Sequence, residues 1–277
     1  YEKRRSFGGG AWETVKITNE EGEAAMGRPR GIYATLNLER IDDLDEDERE
    51  NAQDEIARKL CEICDTDRVI PARILIVGLG LLGGSYAKAL TEKGYRVGGI
   101  ARREEDIVYA KENGFISYGA ATPDPALIAQ ADLVVLALYP ATLIKWVEEN
   151  GACLRAGTVV TDVTGVKGCI VEEIQGFLRD DVEYIAAHPM AGKEVSGVVN
   201  SDDAIFKGAN YIVVPTEKNT PEAIELCRNL GEILGFKQVA ELSVEEHDRM
   251  IAFLSQLTHC IAVSLMCCNQ TDGLESY

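Results

Sequence analysis

The sequence is short of basic residues. It has 28 lysines and arginines against 46 aspartates and glutamates, which gives a formal net charge of −18. Because nucleic-acid phosphates are bound by basic protein faces, this charge argues against a nucleic-acid-binding protein. Any anionic ligand would have to be held by local basic residues or by helix N-termini.

Cysteine motifs for metal binding are also lacking. Cys61 and Cys64 form one CxxC pair, but no second pair and no nearby histidine accompany it, so we predict no metal site. The eight cysteines are interpreted as reduced thiols of a cytoplasmic protein. No signal peptide opens the sequence and no apolar run is long enough to span a bilayer, so we predict a soluble chain without membrane contact.

What the sequence does contain is a long alternation of strand and helix patterns. From Arg73 onward, apolar strands without polar alternation are joined by helical segments. This pattern is typical of a parallel sheet that helices cover on both faces. We therefore predict an α/β fold, a Rossmann-type doubly wound parallel sheet, with a dinucleotide-binding domain over residues 71–217.

The regions on either side have different patterns. Residues 1–70 contain a glycine triplet, two strand-like runs and an acidic linker before a helix, and we predict a small α+β segment of uncertain role. In residues 218–277 a connecting helix and strand precede Ser243 and Glu246, which have the spacing of a capping box. The helix that follows is apolar on more than one face, which suits burial against other helices, including those of a partner subunit. We interpret residues 218–277 as connecting elements and the start of an all-helical dimerisation domain.

One glycine-rich turn carries a nucleotide-binding pattern. The stretch ILIVGLGLLGGS contains G-x-G-x-x-G as Gly78, Gly80 and Gly83, between a buried strand and a helix. In that context the first glycine permits a tight turn, the second lets the backbone approach a pyrophosphate, and the third lets helix and strand pack closely. The sequence therefore predicts a dinucleotide site here, to which Leu81 and Leu82 are also assigned.

The end of the next strand indicates which dinucleotide is bound. A carboxylate about twenty residues after the glycines would bind a ribose 2′-hydroxyl, but this sequence has Ala101, Arg102 and Arg103 in that place. A guanidinium can pair with a 2′-phosphate, so we predict NADP as the cofactor, with NAD as the alternative. The other interpretation is two solvent-exposed arginines paired with the glutamates that follow. Pro140, after a further strand, is assigned to the cofactor site as well.

A histidine stands where a strand of such a sheet should end. His188 follows the apolar run at 184–187 and precedes Pro189. Ligands of open α/β sheets bind at the carboxyl ends of strands, and a histidine beside a nicotinamide can take up a proton as hydride leaves. A lone histidine in this position is more often structural. The order of G-x-G-x-x-G, DVTGVK and HPMAG favours an acid–base group instead.

Together these motifs carry a family resemblance. With VGLGLLGGS, TDVTGVKG, HPMAGKEVSG and HDRMIAFLSQLTHCIA in this order, residues 73–277 resemble the prephenate/arogenate dehydrogenases of tyrosine biosynthesis. The resemblance implies an N-terminal Rossmann domain, a C-terminal helical domain that forms a homodimer, and oxidative decarboxylation of prephenate or arogenate. It also implies that His188 takes the proton of the substrate's ring hydroxyl and that His259 is a second active-site histidine.

The resemblance implies further substrate contacts, with some departures. The residues predicted to bind substrate are Thr164, Lys193, Glu194, Ser196, Gln256 and His259. The family often has a serine that touches the catalytic histidine, whereas this sequence has Thr164-Gly165, so the hydroxyl is lost or moved by one residue. Gln256 stands where a histidine is common. The family's arginine for the substrate carboxylate belongs beyond Tyr277, so we expect either a fragment or a charge supplied by another chain or residue, with Lys193 as a candidate.

Residues 11–64 carry a second resemblance, to the N-terminal region of the spore germination protease. The aspartates that serve that protease are missing, so no protease activity is inferred. The leading interpretation is an NADP-dependent prephenate or arogenate dehydrogenase, and the sequence does not choose between the two substrates. One alternative is a catalytically incompetent or fused NADP-binding or interaction protein. The other is a hydroxyacid-type Rossmann dehydrogenase, but such enzymes place a catalytic lysine on the long helix, where this sequence has His259 and no lysine.

Overall fold

The computed structural model describes residues 2–3, 13–17, 32–36 and 73–268. The chain divides into two compact units, residues 1–72 and residues 73–277. In the first unit an antiparallel sheet has the order β1-β2-β3. Its strands are β1 (Glu2–Lys3), β2 (Glu13–Ile17) and β3 (Ile32–Leu36). The last two contain the predicted strand-like runs, while the predicted helix of this segment and most of the protease-like stretch lie outside the described residues.

The second unit is built on a sheet of eight described strands in the order β11-β10-β9-β8-β7-β4-β5-β6. The strands are β4 (Arg73–Val77), β5 (Arg96–Ile100), β6 (Tyr118–Ala120), β7 (Leu133–Leu136), β8 (Val159–Asp162), β9 (Glu183–Pro189), β10 (Asn210–Val214) and β11 (Gln238–Glu241). Among these strands every neighbouring pair is parallel except β9–β10, which is antiparallel. The mostly parallel sheet confirms the predicted fold class. The antiparallel pair was not predicted; its connection has short 3₁₀ turns and no α-helix among its described elements.

The helices cover the sheet and explain its apolar strands. They are α1 (Leu81–Glu92), α2 (Glu104–Glu112), α3 (Pro125–Gln130), α4 (Pro140–Asn150), α5 (Val171–Phe177), α6 (Pro221–Ile233), α7 (Val244–Ile251) and α8 (Leu257–Cys268). In α3 and α6 a proline opens the first turn and the preceding Asp124 or Thr220 caps it with a side-chain oxygen. Strand β7 is buried at every residue, because both of its faces are covered.

The chain order reverses between two central strands, and this places the glycine-rich turn. From β4 the chain builds outward through β5 and β6, then returns to the other side of β4 as β7. The carboxyl ends of β4 and β7 therefore flank a crevice at the edge of the sheet where ligands of such folds bind. Gly78, just after β4, donates its N–H to the carbonyl of Ile100 at 2.7 Å, which ties the turn to the end of β5.

The sheet runs on past the predicted end of the dinucleotide-binding domain. Strand β11 lies within residues 218–277, yet it pairs in parallel with β10. Residues 73–277 form one compact unit, and the first unit ends at residue 72. The division at residues 70 and 217 stays a prediction.

A continuous helix of 25 residues, Val244–Cys268, follows β11. It joins α7 and α8 through a π-helical turn, Ala252–Gln256. Ser243 and Glu246 form the predicted capping box, each side chain accepting the other's backbone N–H. By length and composition the helix could cross a membrane, which corrects the expectation that no apolar run is long enough. Core helices of soluble proteins pass the same test.

Candidate active site

The glycine-rich turn has the geometry of a backbone cradle. Gly78 has a φ of +99°, and a Cβ built on it would lie 2.4 Å from the carbonyl oxygen of Ala137. A Cβ on Gly83 would lie 2.0 Å from the carbonyl oxygen of Gly78. Neither position can hold a side chain, so packing requires both glycines. Around the Cβ position of Gly80 no described atom lies within 4 Å, which leaves the backbone open to a ligand.

Helix α1 begins at this turn with an uncapped N-terminus. Gly80 is the N-cap, no hydrogen bond from a described side chain caps the helix, and the first turn holds no acidic residue. The first N–H groups of a helix lack intrahelical acceptors, and the helix dipole favours an anion there. Leu81 and Leu82, which open the helix, are half-buried. The turn therefore fits the pyrophosphate of a dinucleotide.

The two arginines after β5 have different surroundings. Arg103 makes two hydrogen bonds to Asp106, from Nε at 2.9 Å and from NH2 at 2.6 Å. Arg102 is exposed and has no hydrogen bond or ion pair to any described residue. Ala101, which occupies the place of a ribose-binding carboxylate, is buried. Of the two guanidinium groups, that of Arg102 is the more accessible to a ligand. Pro140 is the first residue of α4 and is half-buried.

His188 lies at the carboxyl end of β9, paired with Ile212 of β10. Its Nδ1 is 2.9 Å from Nε2 of His247. Its own Nε2 has no hydrogen-bond partner within residues 73–268, and a Cβ built on Gly165 would lie 3.5 Å from it. One ring nitrogen is thus held by a neighbour and the other is open. This is the arrangement that a general base requires.

His247 links His188 to a carboxylate. It is fully buried in α7, and its Nδ1 is 2.8 Å from Oδ1 of Asp248. Asp248 also accepts the backbone N–H groups of Lys167 at 2.9 Å and Gly168 at 2.7 Å. Burial opposes its charge, but the hydrogen bonds from Gly168 and His247 outweigh burial and lower the pKa of Asp248. The result is a continuous line from His188 through His247 to an ionised carboxylate.

A buried ion pair holds the backbone next to His188. Lys167 and Asp162 are both fully buried, with Nζ 2.6 Å from Oδ2. Lys167 Nζ also donates to the carbonyl oxygen of Ala187 at 2.6 Å, and Asp162 accepts the N–H of Ala187 at 3.1 Å. Asp162 further accepts the hydroxyls of Tyr184 at 2.9 Å and Thr164 at 2.5 Å. The pair therefore fixes the strand end that carries the histidine.

The electrostatics keep both histidines neutral. Burial, the charge of Lys167 and the neighbouring His247 together lower the pKa of His188 to about 3, with burial the largest cause. Burial also lowers the pKa of His247, although its hydrogen bond to Asp248 acts in the opposite direction. Near pH 7 His188 is a neutral imidazole whose open nitrogen can accept a proton.

The hydroxyl of Thr164 lies inside the buried cluster around Asp162 and Lys167. The hydroxyl of Thr164 lies 2.5 Å from Asp162 Oδ2 and 3.0 Å from the carbonyl oxygen of Val166, which share its single proton, and it accepts from Lys167 Nζ at 3.1 Å. It is thus used inside the buried cluster. Gly165 lies against His188 Nε2 and carries no side chain. The hydroxyl of Thr164 therefore makes no hydrogen bond to this nitrogen, and the contact of Thr164 with substrate stays a prediction.

The other predicted substrate residues lie on two exposed segments. Lys193, Glu194 and Ser196 are exposed in the loop after β9, where Lys193 already pairs with Asp202 at 2.7 Å. Gln256 and His259 are exposed on the long helix. Contacts of these five residues with a substrate stay predictions.

Four residues of the site were missed from the sequence. They are His247, Asp248, Asp162 and Lys167. His247 and Asp248 come directly after the capping box, and Asp162 and Lys167 lie at and just after the end of a buried strand in TDVTGVKG. Their position as ionisable residues beside the ends of a strand or helix was visible in the sequence. Their hydrogen-bond partners were not.

Known proteins match this region. Residues 86–240 match the family model described as prephenate dehydrogenase, nucleotide-binding domain. Over 205 residues the chain is 31% identical to prephenate dehydrogenase from Bacillus subtilis, an alignment that covers 73% of this chain and 54% of that protein. The chain thus spans about half the length of the curated relatives it matches.

Two solved structures share the fold. Prephenate dehydrogenase from Aquifex aeolicus, in complex with hydroxyphenyl propionate and NAD+, is 31% identical with a TM-score of 0.66, covering 72% of this chain and 69% of that one. Synechocystis arogenate dehydrogenase is 28% identical with a TM-score of 0.65, covering 73% and 71%. The family model spans more than half of the chain, and the chain belongs to the prephenate dehydrogenase family.

Proposed function

We propose that this protein catalyses the oxidative decarboxylation of prephenate or arogenate with a nicotinamide cofactor. The observation that carries the proposal is His188, whose Nδ1 is held by His247 and whose Nε2 is open. Strands β4, β7, β8 and β9 are parallel, so His188 and the glycine-rich turn lie at the same edge of the sheet. The names of the relatives, and the hydroxyphenyl propionate and NAD+ bound in the Aquifex protein, support the same chemistry.

In this mechanism His188 Nε2 moves one proton. When bound, the nicotinamide supplies the hydride acceptor. The ring carbon that bears the hydroxyl gives up its hydrogen with the bonding pair, while the hydroxyl proton passes to His188. The bond to the ring carboxylate then breaks, carbon dioxide leaves, and its bonding pair completes the aromatic ring. His188 returns the proton to the phenolate oxygen and is neutral again, so substrate and oxidised nicotinamide give a phenol, carbon dioxide and reduced nicotinamide.

The low pKa of His188 keeps the ring in its proton-accepting form before the reaction. A histidine with a pKa of about 3 is neutral near pH 7, but it is a weak base. The buried Lys167 contributes to that low pKa. An anionic substrate in the site would offset the lysine's charge and favour protonation of the ring at the moment of transfer.

The proposal is tested with the whole chain in an assay that measures the absorbance of reduced nicotinamide. Prephenate and arogenate are each supplied with NADP and with NAD. Formation of reduced nicotinamide with either acid supports the proposal, and the pair that gives the higher kcat/KM identifies substrate and cofactor. Tight dinucleotide binding without turnover of either acid would instead indicate a binding protein.

We propose NADP as the preferred cofactor, on the strength of Arg102. Arg102→Ala should weaken NADP binding by about 1–3 kcal/mol and change NAD binding little, because only NADP carries the 2′-phosphate. Arg103→Ala is the matched comparison, and its effect should be smaller because Asp106 already engages that guanidinium. Titration of each dinucleotide measures the Kd values. Tighter binding of NAD than NADP by the unmodified protein would refute the preference.

We propose that the long helix mediates a homodimer. Its exposed apolar side chains are Phe253, Leu254, Leu257, Ile261, Val263, Leu265 and Met266. An apolar surface of this kind is typical of a subunit interface. We expect a dimer in sedimentation at micromolar concentration, and we expect Leu265→Lys to shift it towards monomer without lowering stability. A monodisperse monomer would contradict the proposal. If the protein instead co-sediments with lipid vesicles, the apolar surface of the helix binds a membrane.

We also propose a cytoplasmic location. The unpaired cysteines among the described residues are Cys153, Cys169, Cys227, Cys260, Cys267 and Cys268. All but Cys153 and Cys227 are exposed, and exposed thiols persist most readily in a reducing compartment. Burial raises the pKa of Cys227 to about 11, so this thiol stays protonated.

A further inference from the structure

We propose that Asp248 and His247 are positioning residues that fix the tautomer of His188, so that Nε2 is its bare, proton-accepting nitrogen. The proposal deepens the proposed function and rests on it for its catalytic meaning. Two contacts in series carry it: His188 Nδ1 to His247 Nε2 at 2.9 Å, and His247 Nδ1 to Asp248 Oδ1 at 2.8 Å.

Asp248 sets the direction of the hydrogen bonds that link it to His247 and His247 to His188. Its carboxylate accepts two backbone N–H groups, from Lys167 and Gly168, at 2.9 and 2.7 Å. A carboxylate held in this way is ionised and can only accept hydrogen bonds. The ring nitrogen that faces it must therefore carry a proton, so His247 is protonated on Nδ1.

The protonation of His247 in turn fixes that of His188. A neutral His247 with its proton on Nδ1 has a bare Nε2, which must accept from its neighbour. His188 therefore donates from Nδ1 and keeps its lone pair on Nε2. That nitrogen lies against Gly165, and no partner for it is found within residues 73–268. The open nitrogen is thus the one that can take the substrate's proton.

The opposite direction of the chain is disfavoured by charge. It would place a bare Nδ1 of His247 against the Asp248 carboxylate, so that two acceptors would face each other at 2.8 Å. A doubly protonated His247 would avoid that conflict, but the buried ammonium of Lys167 disfavours a second positive charge nearby. The carboxylate of Asp162 would favour a charge on His247, but it is already paired with Lys167 Nζ at 2.6 Å.

Ring nitrogens can be observed directly, because the chain has only three histidines. Two-bond ¹H–¹⁵N NMR on protein labelled with ¹⁵N-histidine, without substrate or cofactor, reports the protonated nitrogen of each ring. We expect His188 and His247 both to be neutral and protonated on Nδ1 at pH 7. Protonation of His188 on Nε2 in the unmodified protein would overturn the proposal. Because this measurement needs no turnover, it is independent of whether the proposed reaction is correct.

Variants test the line of contacts. In Asp248→Ala, His247 is expected to move its proton to Nε2 and donate it to His188, whose own proton then moves to Nε2. His247→Gln offers an amide oxygen to His188 Nδ1 and should keep the original tautomer, whereas His247→Leu should lose it. Ser243→Ala weakens the cap of the same helix without changing the His188–His247–Asp248 hydrogen bonds. It should leave the tautomers of both rings unchanged. An unchanged His188 in both Asp248→Ala and His247→Leu would overturn the proposal, and the His247 pair tests it even if Asp248→Ala does not fold.

Kinetics connect the tautomer to the proposed reaction. Asp248→Ala should lower kcat by about 10²–10⁴-fold with little change in KM, because a histidine in the wrong tautomer loses its contribution as a general base. His247→Gln should be more active than His247→Leu. A loss of kcat without a tautomer change would assign Asp248 a purely structural role and refute the proposal. A tautomer change in a protein that turns over neither acid would refute the proposed function and leave the positioning intact.

Discussion

His188→Asn is expected to lower kcat by about 10²–10⁴-fold while the fold and cofactor binding are retained. The asparagine amide can still offer a hydrogen bond towards His247, but it has no nitrogen that accepts a proton near pH 7. Strand β9 pairs with β10 through the backbone at this position, opposite Ile212, so the sheet does not depend on the imidazole. The loss should therefore fall on the chemical step.

Steady-state kinetics with the better of the two acids measure this effect, and His259→Asn is the comparison. His259 is exposed on the long helix, and we expect its replacement mainly to raise KM, as for lost binding that is uniform along the reaction. Dinucleotide titration and circular dichroism check the cofactor site and the fold of His188→Asn. Near-normal kcat in a folded His188→Asn protein, or unfolding of that variant, would identify His188 as a structural histidine.

The fold was predictable because its signals are local. A strand that is buried on both faces has apolar residues at every position, and Leu133–Leu136 shows this directly in the sequence. Gly78 and Gly83 are required by contacts within a few residues of the turn or with the adjacent strand, so the motif predicted the cradle. The capping box at Ser243 is equally local, and it was found at the predicted place.

The partners of His188 could not be predicted in the same way. His247 lies 59 residues further along the chain, and only the packing of α7 against the sheet brings the two rings to 2.9 Å. Asp248 reaches the loop at Lys167 across 81 residues. The spacing of side chains along one element can be recognised in the sequence, whereas these contacts depend on where separate elements meet. The sequence thus placed His188 at a strand end and left its neighbours unassigned.

The long helix illustrates a different limit. Polar residues such as Ser255 and Gln256 interrupt its apolar stretch, so a search for an unbroken run passes over it. Averaged over a continuous helix, the hydropathy is nevertheless high enough for a membrane span. Only the structure shows that α7 and α8 are one helix across the π-helical turn.

Lys167→Met is expected to lower the free energy of unfolding by about 3–5 kcal/mol, because it leaves a buried carboxylate without its cation. Asp162 is fully buried and, among the described residues, would keep its hydrogen bonds from Tyr184, Thr164 and the backbone of Ala187. Removing both charges with Asp162→Asn and Lys167→Met should cost less than the two single losses added together, since neither charge is then left alone.

Urea denaturation of the whole chain measures this cost in a Trp12→Phe background, where Trp146 is the remaining tryptophan. Trp146 is buried in the second unit and reports its unfolding. Lys145→Met is the matched control, since Lys145 pairs with Glu149 at 3.6 Å on the surface, and its loss should change stability by less than about 1 kcal/mol. If Lys167→Met costs no more than Lys145→Met, the buried pair does not hold the strand end. The expected larger cost would tie the stability of the unit to the same residues that keep His188 neutral, because removing Lys167 also removes a charge that lowers the pKa of His188.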